Sequence, residues 1–218
     1  MDRKPAVLGA LTGFLLLILA LQVMGLMDGV NTYVDSHLPL LSSPWVRVLT
    51  DTAGMAFFGL VAVLFIILDI REKRRLSYPT LKFLLSAFLA LVAVASLKAL
   101  LQTPRPGEEM LSPPLLLALK NVDYFAFPSG HTARASVLAS YLQERSPRYA
   151  PLWWAYAVGI ALTRLLLHVH WFGDVLFSLL LGPWAYLLLD VTGPYWLPIY
   201  RKVVKSLRLE VFDVERSP

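Results

Sequence analysis

The chain has 218 residues, 57% of them hydrophobic and only 16% charged, a balance that excludes an ordinary soluble domain and indicates an integral membrane protein. Twenty Lys plus Arg against fifteen Asp plus Glu leave a formal charge of +5, too small an excess to point to nucleic acid and better matched to anionic lipid headgroups. With no cysteine there is no disulfide framework and no thiolate metal site, so a metal would have only His, Asp and Glu to bind it.

Taken in order, the first apolar run covers residues 6–27, long enough to cross a hydrocarbon core of roughly 30 Å. Arg3 and Lys4 precede it as they would precede a signal peptide, but the run is long and lacks a small-x-small cleavage site, so an uncleaved span is expected. Runs at 52–70 and 80–101 follow. The next candidate, 129–144, is short and carries His131, Arg134 and Ser136, yet Pro128 and Pro147 bracket it as helix-limiting residues. As a helix it covers only about 25 Å. Runs at 152–167 and 171–189 complete a predicted set of six spans, and the tryptophans at 45, 153, 154, 171, 184 and 196 mostly fall near span ends, as interfacial anchors do. No internal repeat is evident, and the expectation is an all-α polytopic protein with one domain over 1–218 and a catalytic core at 98–174.

Orientation follows from basic residues. With the N-terminus inside, Arg3, Lys4, the 71–75 cluster, Lys82, Arg145, Arg148 and the tail from Arg201 onward share the cytoplasmic side, fourteen of the twenty cations. Both termini are then cytoplasmic, and 28–51, 102–128 and the turn at 164–170 face outward.

Three polar clusters thereby fall on one face: KALLQTPRP at 98–106, FPSGH at 127–131 and TRLLLHVHWFGD at 163–174. Lys98, Arg105 and Arg164 are fixed cations suited to an anion with several charged oxygens, phosphate in particular. Ser129 stands at a helix start, where free N–H groups attract anions, and Gly130 lets the backbone come close. His131 and His170 supply a proton carrier and a nucleophile. Asp174, four residues after His170, can hold one ring nitrogen and leave the other to attack phosphorus. Neither a metal nor another cofactor is called for.

Lys98 and Arg105-Pro106, then Pro128-Ser129-Gly130-His131, then Arg164, His170 and Asp174, in this order and spacing, resemble the tripartite signature of the type 2 phosphatidic acid phosphatase (PAP2) superfamily. Thr163 stands where that family usually has serine and keeps a hydroxyl; His168 lies outside the pattern. The resemblance implies His170 as nucleophile, Asp174 as its orienting group and His131 as acid and base. It implies phosphoryl binding by Lys98, Arg105, Ser129, Gly130 and Arg164. Arg134, Thr163 and His168 are candidates for supporting positions around them.

Each of these residues has a plainer reading. Lys98 and Arg105 could snorkel to the interface, Arg164 and Asp174 could form a structural ion pair, and Arg134 could belong to a buried pair instead of the pocket floor. His168, two residues from His170, points elsewhere on a helix. Glu108 and Glu109 read as solvated, and nothing in the spacing of Asp28, Asp35, His37 and Asp51 assigns them to a site.

A site recessed at the outer leaflet of a cell membrane favours a phosphate or diphosphate carried on a lipid: an isoprenoid diphosphate, phosphatidic acid or phosphatidylglycerol phosphate. The expected function is metal-independent lipid phosphatase action through a phosphohistidine. The alternatives are a lipid phosphotransferase using the same intermediate and a non-enzymatic protein that binds or transports phosphate lipids.

Overall fold

The computed structural model describes residues 3–214, and among them every regular element is helical. Nine α-helices follow in order: α1 (Lys4–Val23), α2 (Asp28–His37), α3 (Pro44–Asp51), α4 (Met55–Lys73), α5 (Tyr78–Leu101), α6 (Leu115–Lys120), α7 (Gly130–Arg145), α8 (Ala150–Leu166) and α9 (Phe172–Ser206). By length and composition α1, α5 and α9 can each cross a membrane, and α3 with α4, bent by 45° at residues 52–54, makes a fourth if counted as one span. Exposed Phe14, Leu16, Leu17, Leu60 and Phe88 form the outer surface of the bundle, as helices facing lipid require.

Helix α7 lies inside the bundle, packed by α5, α8 and α9. Residues Thr132 to Tyr141 are all buried, which explains a composition of alanine, serine and threonine: its neighbours are helices, and small residues let backbones approach. At the contact with α9 the approach is so close that a Cβ on Gly182 would lie 2.2 Å from Ser136 Oγ and 2.5 Å from the Ser136 carbonyl carbon. Ser136 Oγ also donates to Ser178 O at 2.8 Å.

The end of the bundle away from α7's N-terminus is tied by ion pairs. Lys82, almost fully buried, reaches Glu144 at 2.6 Å and Asp190 at 3.1 Å, and Lys4 reaches Asp190 at 2.7 Å. Arg145 binds Asp69 at 3.1 Å. These pairs bring α1, α4, α5, α7 and α9 together at one level, so Lys4, Lys82 and Arg145, counted in the sequence for orientation alone, are structural.

The elements differ from the sequence expectation in three places. The expected span at 6–27 divides into α1, ending at Val23, and a turn containing Gly25 at φ 71° that leads into α2. Short helices α2, α3 and α6 occupy the segments expected as loops. Helix α9 continues to Ser206 through Pro194 and Pro198, because its extension has partners: Trp196 stacks on Tyr78, and Leu197 and Val204 are buried. Two of the tryptophans near span ends hydrogen-bond within the bundle, Trp184 Nε1 donating to Thr12 Oγ1 at 2.9 Å and Trp171 Nε1 to Pro104 O at 2.7 Å.

Candidate active site

The C-terminus of α5, the N-terminus of α7 and the turn from α8 into α9 meet around one cavity of about 510 Å³. Lys98, Arg105, Arg134 and Arg164 line it together with His131, His170, Gly130 and Asp123. Met55 of α4 and Leu91, Val94 and Ala95 of α5 form an apolar wall beside them.

Each cation is held from behind. Lys98, on the last turn of α5, donates through Nζ to Phe125 O, and Arg105 donates through Nη2 to Asp123 O. The segment after α6 thus aims the first two cations. Arg164 Nη1 donates to Thr50 Oγ1 at 3.0 Å, and Arg134 Nε to Ala53 O at 2.7 Å. Thr50 lies in the last turn of α3 and Ala53 in the break between α3 and α4. Arg105 Nε and Arg164 Nε are buried and have no hydrogen-bond partner among the described residues; they are donors that an anion in the cavity would satisfy.

His170, buried in the turn before α9, places Nδ1 3.2 Å from Asp174 Oδ2. The same oxygen accepts Trp171 N at 2.8 Å, so the carboxylate fixes both the imidazole and the first turn of its own helix. A carboxylate acceptor makes Nδ1 the protonated nitrogen and leaves the Nε2 lone pair free. Burial, reinforced by the charges of Lys98, Arg164 and Arg105, holds the His170 imidazole well below its ordinary pKa and therefore neutral. Gly173 N, in the first turn of α9, donates to Asn31 Oδ1 of α2 at 2.9 Å.

Ser129 occupies the N-cap position of α7 with extended backbone, but its side chain makes no cap bond and instead accepts Thr132 Oγ1 at 3.1 Å. The first amides of α7 therefore keep their donors beside the cavity. His131 follows in the first turn. Thr163 Oγ1 donates back to Ile160 O at 2.6 Å, and His168 Nδ1 pairs with Asp35 Oδ1 at 2.8 Å; neither lines the cavity, and His168 at φ 50° belongs to the contact with α2. Glu108 and Glu109 are exposed, and Asp28 lines a separate groove near Trp171. Among the described residues no three His, Asp or Glu side chains gather as a metal-ligand group.

Four contributors were missed in the sequence: Thr50, Ala53, Asp123 and Phe125. Three of them act through a backbone carbonyl, which no residue type announces.

Residues 79–192, just over half of the chain, match the family model of the PAP2 superfamily. Among solved structures, the fold resembles a transmembrane PAP2-type phosphatidylglycerolphosphate phosphatase from Bacillus subtilis, with TM-score 0.68 and 20% identity over 88% of this chain and 97% of that one. A partial likeness extends to LpxE of Aquifex aeolicus, TM-score 0.44 and 23% identity over 66% of this chain and 91% of that one. The chain belongs to the PAP2 superfamily.

Proposed function

We propose that the chain is a membrane lipid phosphatase that removes a terminal phosphate from an isoprenoid diphosphate or a phospholipid monophosphate, with no metal. The observation that carries the reading is the convergence of Lys98, Arg105, Arg134 and Arg164 with His131 and His170 on one cavity with an apolar wall. The relative from Bacillus subtilis, named for phosphatidylglycerolphosphate, makes that lipid one member of the substrate panel.

In the proposed reaction the cations and the α7 amides hold the phosphoryl oxygens. His170 Nε2 attacks phosphorus in line, the bond from phosphorus to the lipid oxygen breaks, and His131 gives that oxygen its proton. Asp174 stabilises the charge that develops on the His170 ring. Water then takes the place of the departed lipid, His131 removes its proton, and attack on phosphorus breaks the P–N bond to release phosphate and restore His170. The fixed cations strengthen their hold as charge accumulates on the phosphoryl oxygens.

Six spans are part of the reading: α1, the bent α3–α4 pair, α5, α7, α8 and α9. Helices α7 and α8, with 16 and 17 residues, are short for the bilayer, but α7 is surrounded by protein and need not match lipid thickness. The ends carrying Lys4, Lys82 and Arg145 meet at one level, opposite the cavity. The positive-inside rule assigns that level to the cytoplasm and the cavity to the outer face of the cell membrane, both termini being cytoplasmic.

The test is inorganic phosphate release by purified protein and by His170→Ala in parallel, from isoprenoid diphosphate, phosphatidic acid and phosphatidylglycerol phosphate. Release from at least one lipid, abolished in the variant, is expected. Turnover undiminished in His170→Ala overturns the mechanism, and phosphate appearing only on an added acceptor lipid assigns a phosphotransferase.

A further inference from the structure

At the end of the bundle opposite the cavity, the residues after α9 fold back on the turn between α4 and α5. Leu76 N donates to Val211 O at 2.8 Å and Tyr200 Oη to Phe212 O at 2.9 Å, while Arg201 Nε and Nη2 hold the two Asp213 oxygens at 2.8 and 3.3 Å. Val214, with no exposed surface, packs with Leu76, Tyr78, Leu81 and Leu197. This clamp borders an open recess of about 570 Å³ lined by Lys73, Arg74, Arg75, Lys205 and Arg208. Its carboxylates are Glu210 and Asp213, and Asp213 is already engaged by Arg201 and Lys205. A second recess of about 410 Å³ shares Lys205 and adds Arg201 and Lys202.

Two of the lining residues hold an unfavourable backbone conformation. Arg74 ends α4 at φ 59° and Arg208 follows the end of α9 at φ 56°, the left-handed helix-stop geometry that glycine adopts without steric cost and a residue with a Cβ does not. Both helix stops therefore carry an arginine where glycine would be easier, and both arginines line the same recess. Among the described residues neither has an acidic partner. Val211, which lines the recess, is exposed, as are Leu207 and Leu209 on either side of Arg208 in the chain, and Ile199 and Val203 on the last turns of α9.

Cations lining a recess, with exposed aliphatic side chains on the same segment at the end of a membrane helix, suit a ligand with an anionic head and hydrocarbon chains. The geometry points to an anionic phospholipid of the leaflet opposite the catalytic cavity, its phosphodiester held between Arg74 and Arg208 and its acyl chains along the aliphatic rim. Free phosphate would match the cations and leave the rim unused. This site is separate from the proposed catalytic chemistry and stands without it.

The full chain, purified in micelles of neutral detergent doped with equal phosphatidylglycerol and phosphatidylcholine, tests the assignment by native mass spectrometry of retained lipid. The comparison is the double variant Arg74→Gly/Arg208→Gly, which removes both charges and relieves both left-handed residues, so the fold is kept. Wild type is expected to retain phosphatidylglycerol over phosphatidylcholine, with retention roughly tenfold or more lower in the double variant. Phosphate release from the preferred lipid substrate should be unchanged when assayed in neutral detergent. Equal phosphatidylglycerol retention by both proteins overturns the proposal. Displacement of the lipid by millimolar inorganic phosphate overturns it too, by reassigning the recess to a free anion.

Discussion

Arg164 and Thr50, 114 residues apart in the chain, meet at 3.0 Å through Nη1 and Oγ1, both side chains buried. Thr50 lies outside the stretch matched by the family model, yet its hydroxyl orients a cation that lines the cavity. In Thr50→Val the guanidinium loses one charged hydrogen bond, an interaction of about 1.5–3 kcal/mol. A fall in kcat/KM of roughly tenfold is expected, with rescue by Thr50→Ser. Identical kinetics in Thr50→Val and wild type would show that Arg164 is held without it.

The bond between Asp174 Oδ2 and His170 Nδ1 sets which nitrogen faces phosphorus. Asp174→Asn keeps the shape but can donate where the carboxylate accepts, favouring the wrong tautomer. A drop in kcat of about 10²–10⁴-fold is expected, by analogy with carboxylate-to-amide changes beside other catalytic histidines. Because Trp171 N shares the same oxygen, thermal unfolding should be compared in parallel; lost activity that merely tracked lost folding would remove the orienting role.

Rapid acid-free quenching of labelled substrate in mid-turnover should leave base-stable, acid-labile phosphate on His170. With an aryl phosphate whose leaving oxygen needs no proton, His131→Ala should accumulate that species, since only the water step then lacks its catalyst. A steady-state free of any protein-bound phosphate in both proteins would favour direct attack by water.

The buried neutral state of His170 has a consequence for stability. Its folded pKa lies well below the ordinary value of 6.5, so below pH 6.5 the unfolded chain takes up a proton that the folded chain refuses. The contribution of His170 to stability should therefore fall as pH drops from 7.5 to 5.5, and His170→Gln should lose less than wild type over that interval. Thermal unfolding in detergent at several pH values measures the difference; parallel slopes for the two proteins would contradict it.

Gly182 sits where α9 touches α7, with no room for a methyl group against the Ser136 backbone. Gly182→Ala should destabilise by about 1–3 kcal/mol, and adding Ser136→Ala should not restore the loss, because the clash also involves the Ser136 carbonyl carbon and Val137 N at 2.5 Å. Full recovery in the double variant would place the contact on the hydroxyl alone.

The amino-acid order by itself determined the helical class, the membrane setting and the blocks at 98–106, 127–131 and 163–174. These depend on apolar run length, or on neighbours within a helical turn, as His170 and Asp174 are, and such local spacing can be read directly. Only the tertiary structure decided that α7 runs inside the bundle. Hydropathy measures transfer from water to lipid, whereas Ser136 and Ser140 meet protein acceptors, with Ser136 O itself accepting Ser140 Oγ at 2.8 Å. Likewise, Lys82 and Arg145 count only toward membrane orientation in the sequence, and folding places Glu144, Asp190 and Asp69 beside them. The aim of Arg134 and Arg105 came from the carbonyls of Ala53 and Asp123. Every residue carries that same acceptor, so only three-dimensional position makes one of them part of a site.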